Sequence, residues 1–196
     1  MRRIIMFNRV SADGYFADAE GGLNWAVPDP DLDVDASSGS NGIDMMLFGR
    51  VTYDLFEAFW PTADDEDPHA PGRRNPSIKH MAKFINDNKK VVFSRTRKEL
   101  TWKNSELIRD FTPAAVEALK KQPGNDIIVF GSGSIVSELS EHRLIDEYRF
   151  IVDPLLLGKG KNMIRDLPES VRLELRDTKR YGSGNLALTY GLAKKG

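Results

Sequence analysis

Two stretches of this 196-residue chain place an apolar run directly before glycine and then before a helix-like pattern: Met45-Met46-Leu47-Phe48-Gly49-Arg50-Val51-Thr52-Tyr53 and Ile127-Ile128-Val129-Phe130-Gly131-Ser132-Gly133-Ser134-Ile135. A helix start offers unpaired N–H groups and a partial positive charge, and glycine lets phosphate oxygens approach the main chain. Arg50 and Thr52 follow the first glycine, and Ser132 and Ser134 the second. Paired junctions of this kind point to a ligand with separated phosphates, as a dinucleotide has. Gly131-Ser132-Gly133-Ser134 lacks the third glycine of the G-x-G-x-x-G fingerprint, and Gly158-Lys159-Gly160-Lys161 lacks the spacing and the Ser or Thr of a Walker loop, so neither an ordinary Rossmann site nor a P-loop fits.

Other chemistry is excluded or weak. The chain has no cysteine, which removes disulfides, thiolate nucleophiles and iron–sulfur ligands. Asp29, Asp31, Asp33 and Asp35 alternate, but an EF-hand counted from Asp29 or Asp31 would find Val34 and Ser40, or Ala36 and Gly42, where glycine and glutamate are required. His69, His80 and His142 show no partner at metal-ligand spacing, so no metal is expected. Asp13-Gly14 reads as a turn. Trp25, in a glycine-flanked loop, reads either as a plug or as a pocket wall.

Lys and Arg number 28 against 29 Asp and Glu, a net charge of −1 with no basic stripe, which argues against nucleic acid. The run Ile4 to Phe7 is broken by Asn8-Arg9, too short for a signal-peptide core, and no stretch reaches the roughly 20 apolar residues of a membrane span. The expectation is a cytoplasmic chain forming one domain over residues 1–196.

Periodicity and punctuation predict strands near 3–9, 44–48, 90–93, 105–108, 126–130, 147–152, 171–178 and 184–191. Helices are predicted over 50–59, with Val51, Leu55, Ala58 and Phe59 facing the sheet, and over 77–86, 112–122 and 134–141. Residues 11–41 and 60–76 read as long loops, the first of a length that suits a binding loop. Alternating strands and helices imply a largely parallel sheet, closed by an antiparallel hairpin.

In order along the chain, Ser11-Ala12-Asp13-Gly14-Tyr15-Phe16-Ala17, Gly22-Leu23-Asn24-Trp25, Leu47 to Tyr53, Val92-Phe93-Ser94-Arg95-Thr96, Val129 to Ser134, Asp146-Glu147-Tyr148-Arg149 and Pro154 to Lys161 resemble the motifs of dihydrofolate-reductase-like proteins. They are most similar to the branch containing the riboflavin-pathway reductases. The resemblance implies a three-layer α/β/α fold with a mixed, mainly parallel eight-stranded sheet, a homodimer, and NADPH bound across the strand ends. It implies that Gly49, Arg50 and Thr52 hold phosphates, that Gly131, Ser132, Gly133, Ser134 and Ile135 hold the pyrophosphate, and that Ser94, Arg95 and Thr96 sit beside the adenosine end. The forked guanidinium groups of Arg50 and Arg95 suit a 2′-phosphate, favouring NADP over NAD.

On the substrate side it implies Trp25, Phe130 and Asp31 around a small pterin-like or aminopyrimidine-like ring. Two departures stand out. Pro30 occupies the family's carboxylate position, with Asp31 one residue further, and Val136 replaces a usual tyrosine. The stretch 33–42 replaces the start of the family's substrate-side helix. The resulting reading is an NADPH-dependent reductase, and the alternative is a non-catalytic NADP(H)-binding protein with a sensing or structural role.

Overall fold

The computed structural model describes residues 1–65 and 67–193. Eight strands form one sheet in the order β5 (Ser105–Ile108), β4 (Lys89–Phe93), β3 (Ile43–Gly49), β6 (Asp126–Phe130), β1 (Ile4–Ser11), β7 (Glu147–Asp153), β10 (Leu186–Leu192) and β9 (Leu173–Arg180). From β5 to β7 neighbours are parallel; β10 runs antiparallel to β7 and β9. A short ladder of β2 (Tyr15–Ala17) and β8 (Lys161–Asn162) lies beside it.

Side chains alternate across a strand, so the apolar runs 4–7 of β1 and 127–130 of β6 serve two layers. Ile4, Met6, Ile127 and Val129 meet Val116 and Leu119 of α5 (Pro113–Lys121) and Ile135, Val136 and Leu139 of α6 (Gly133–Glu141). On the opposite face Ile5, Met46, Phe48 and Val92 pack against Tyr53 of α2 (Arg50–Glu57), Phe84 and Ile85 of α4 (Pro76–Asp87), and Trp102.

Three expectations change. In α2 the stripe expected to face the sheet turns outward: Val51, Leu55 and Phe59 are exposed, while Tyr53 and Phe56 pack edge-on against Phe48, with ring centroids 6.2 and 5.1 Å away. The larger aromatic area takes the buried side. Residues 11–41 are not one loop but contain β2 and a helix, α1 (Pro30–Ser38). Asp29 caps α1, accepting from the N–H groups of Asp31 and Leu32 at 3.0 Å, and Pro30 suits its first turn. Only Leu32 and Ser37 of this helix are buried, which is why it shows no apolar period. Residues 60–76 likewise hold a 3₁₀ turn (Trp60–Thr62) and a short helix, α3 (Pro71–Arg74), tied to α4 by Asn86 Nδ2, which donates to the Trp60 carbonyl at 2.9 Å.

Candidate functional site

Because β4, β3, β6 and β1 are parallel, the chain leaves all four on one edge. Register pairs Phe93 with Gly49 and Phe7 with Phe130, so Ser94–Thr96, Gly49–Thr52 and Gly131–Ile135 follow one another along that edge. The two glycine junctions touch. The Gly49 N–H donates to Ser132 Oγ at 2.7 Å, and Ser132 Oγ donates to Thr52 Oγ1 at 2.9 Å. Buried Asn8, which the sequence reading missed, accepts the Gly131 N–H at 2.9 Å. Its signal was a polar side chain directly after the apolar run 4–7, within a strand that runs on to Ser11.

Gly131 and Ser132 both lie in the left-handed region, at φ +57 and 60°, which turns the chain into α6. For serine this conformation is strained, and its two hydroxyl hydrogen bonds hold it there. A Cβ on Gly49 would stand 2.7 Å from Ser132 Oγ, and one on Gly131 would stand 3.2 Å from Thr52 Oγ1. Side chains cap α1, α4 and α5 through Asp29, Asn75 and Thr112. The helices behind the glycines, α2 and α6, have no side-chain cap, leaving their first-turn N–H groups for other oxygens.

Arg50 is exposed and pairs with Asp54 at 3.1 Å. Asp54 also receives Arg97 at 2.9 Å, and Arg97, another residue missed from sequence, pairs with Glu57 and lies 5.2 Å from the centre of the Tyr53 ring. Buried Ser94 accepts from the N–H groups of Thr96 and Arg97 at 3.3 and 3.0 Å, closing the turn after β4, while Arg95 and Thr96 are exposed.

On the α1 side of the sheet lies a cavity of about 340 Å³. One cross-strand row, Phe130, Phe7, Arg149, Thr189 and Asp177, runs along its floor. Leu32 and Asp35 of α1 and Met81 of α4 close it from above. Phe7 meets Phe130 edge-on at 6.2 Å. Asp35 accepts from Tyr181 Oη at 2.8 Å and pairs with Lys179, and these two groups, Lys179 first, hold its carboxyl below the usual range. Burial, and then Asp35, push the Tyr181 phenol up. Burial likewise raises the Asp33 carboxyl, against the pull of Arg9.

Of the substrate-side residues read from sequence, Phe130 lines this cavity; Trp25 and Asp31 do not. Trp25 is half-buried and donates from Nε1 to the Gly22 carbonyl at 3.1 Å. Two residues later Val27 is pinned: its N–H donates to buried Asp153 at 2.7 Å, and its carbonyl accepts from Arg9 at 2.7 Å and Asn185 at 3.0 Å. Asp31 is exposed on the first turn of α1. Asp13 has a turn role, accepting from the Ser11 hydroxyl at 2.6 Å and from the N–H groups of Leu157 and Gly158 at 3.1 and 2.7 Å. One of the histidines has carboxylate neighbours that its spacing to the other histidines did not indicate. His142 and the side chains of Glu138 and Glu141 converge within 4.8 Å at the exposed end of α6, a helical juxtaposition that spacing of histidines alone does not reveal.

The sequence profile of the RibD C-terminal domain matches residues 2–187. The chain belongs to the RibD C-terminal domain family. Within reach of that family it is 32% identical over 189 residues to the uncharacterized protein YyaP of Bacillus subtilis (strain 168), covering 96% of this chain and 94% of that protein. In structure it is similar to a putative riboflavin biosynthesis protein from Shewanella sp. PV-4 (TM-score 0.75, 21% identity, 98% and 99% of the two chains). It is also similar to dihydrofolate reductase from Enterococcus faecalis complexed with NADP(H) (TM-score 0.64, 13% identity, 98% and 97%). This RibD-type domain thus has the dihydrofolate-reductase-like α/β fold, with the mixed, mainly parallel eight-stranded sheet expected. Among the described residues no helix is long and apolar enough to cross a membrane.

Proposed function

We propose that this chain, as one domain over residues 1–196, is an NADPH-dependent reductase of a small pterin-like or aminopyrimidine-like heterocycle. One observation carries the reading: two uncapped, glycine-led helix starts, joined through Ser132, sit on the strand edge whose last side chain, Phe130, is also a wall of the cavity. Membership of a reductase-like family supports it.

The donor set fits a dinucleotide: the first turns of α2 and α6 carry no side-chain cap, and the absence of a Cβ at Gly49 lets Ser132 and Ile135 pack the two starts side by side. Gly49, Arg50 and Thr52 hold phosphate, with Gly131, Ser132, Gly133, Ser134 and Ile135 on the pyrophosphate and Ser94, Arg95 and Thr96 beside the adenosine end. NADPH, when bound, supplies the hydride. Phe7 and Phe130, packed edge to face, offer the ring an apolar wall and exclude water from it, which strengthens every polar contact inside. Trp25 and Asp31, both outside the cavity lining, are assigned to the substrate side by the family resemblance alone, Trp25 as a neighbour of the ring and Asp31 as support for protonation. The protein works as a cytoplasmic homodimer, a state that light scattering tests.

A second reading, an NADP(H)-binding protein without turnover, is favoured by the placement of Asp31, exposed and outside the cavity lining. Calorimetry with NADPH, followed by turnover assays over a pterin, pyrimidine and carbonyl panel, separates the two. Binding with turnover supports the reductase, and binding without turnover the second reading. Absence of NADPH binding at tens of micromolar overturns both.

A further inference from the structure

We infer that the cavity selects a flat ring bearing one carboxylate, gripped by Arg149, and rejects a phosphorylated one; this rests on the reductase reading for its ring end. The floor of the cavity is graded. Its row of cross-strand neighbours starts with two aromatic rings, Phe130 and Phe7, at the end nearest the glycine edge, and becomes polar at Arg149 and Thr189. Phe130 and Arg149 stand two strands apart, about 10 Å at the usual strand spacing.

Arg149 is prepared for an anion. Its Nε donates to Glu147 Oε1 at 2.6 Å, which fixes the plane of the guanidinium. Neither Nη has a partner among the described residues, and Nη1 lies under the end of α1, 3.8 Å from where a Cβ on Gly39 would stand. Two parallel N–H donors of this kind match the two oxygens of a carboxylate. Thr189, adjacent in the row, adds a hydroxyl.

A second negative charge would find nothing to meet it. The other cations near the floor are engaged: Lys179 by Asp35, and Arg3 by Asp126 and Glu147. Asp35, Asp177 and Glu147, the last paired with Arg149 and Arg3, all line the cavity. Arg149, with both Nη groups free among the described residues although its Nε is paired with Glu147, suits a monoanion, whereas the dianion of a phosphate monoester would meet these carboxylates without a second cation.

The test is a titration of para-phenylbenzoate, para-phenylbenzamide and para-phenylphenyl phosphate into the intact protein, with and without saturating NADPH, using wild type, Arg149→Met and Arg149→Lys. The acid should bind at least about tenfold more tightly than the amide or the phosphate, a preference lost in Arg149→Met and partly restored in Arg149→Lys. Should Arg149→Met fail to fold, the wild-type ranking still decides. Equal affinity for acid and amide, tighter binding of the phosphate, a preference that survives in Arg149→Met, or no binding of any of the three overturns the inference. NADPH binding, recorded in the same samples, reports separately on the reductase reading.

Discussion

The two faces of the sheet are finished differently over its centre. Beneath β1 and β6, α5 and α6 interlock with Ile4, Met6, Ile127 and Val129, with Val136 and Leu139 fully buried. Above β1, β7 and β10, the covering helix α1 contributes Leu32 to the small cluster with Ile151 and Tyr181, and a cavity remains. The closed face fixes the start of α6, and so the Ser132 turn; the open face leaves space for a ligand. Binding needs both, because a rigid phosphate seat is of use only beside room for a second molecule.

The largest test of this contrast is Leu139→Ala. It should lower stability by about 2–5 kcal/mol in chemical denaturation, since a fully packed site cannot collapse around the void. Leu32→Ala, beside space that is already empty, should stay near the lower end, about 2 kcal/mol, and leave NADPH affinity unchanged. Equal losses would mean that the faces are packed alike.

Gly49→Ala probes the seat itself. The added Cβ meets Ser132 Oγ at 2.7 Å, and Ser132 cannot swing away without giving up its bonds to Gly49 and Thr52. A loss of about 1–3 kcal/mol is expected together with weaker NADPH binding, measured by denaturation and calorimetry. Unchanged cofactor affinity would remove this junction from the site.

Replacing Arg50 and Arg95 by alanine should reduce the preference for NADPH over NADH about tenfold, with stability changed by less than about 0.5 kcal/mol because both side chains are exposed. If the two cofactors bind the double variant in the wild-type ratio, neither guanidinium reads the 2′-phosphate.

The smallest effect is at the cap of α1 on the open face. The Ser183 hydroxyl, with the N–H groups of Leu32, Ser183 and Asp31, holds the Asp29 carboxyl down to about 2 from its ordinary 3.8. The folded chain therefore releases this proton more readily than the unfolded chain. Its contribution is complete above the ordinary carboxylate range and is lost as pH falls through about 2. Asp29→Asn should flatten the dependence of Tm on pH across that window; identical slopes for the two proteins would assign the acid loss to other groups.

Much of the closed side was legible from sequence. Thr112, Pro113, Val116 and Leu119 announce α5 locally, and its cap is formed as read, with the Ala115 N–H donating to Thr112 Oγ1 at 3.1 Å. The two glycine junctions are visible for the same reason: strand, turn and helix start are encoded within nine consecutive residues. The open side was harder. α1 buries too little to leave a period, and its start is written only in Asp29 and Pro30. The exposed apolar stripe of α2 misled the reading of its inward side, since periodicity finds a stripe without saying what competes for the interior.

The amino-acid order alone determined where strands give way to helices, and which of those junctions carry glycine, arginine and serine, because backbone conformation and capping act over a few neighbouring residues. Tertiary structure decided that the two junctions share the Ser132 hydroxyl, 83 residues from Gly49. It also placed Phe130, Phe7 and Arg149, from three separate strands, in a single row. Strand order and register arise from packing across the whole sheet, and no local segment contains them.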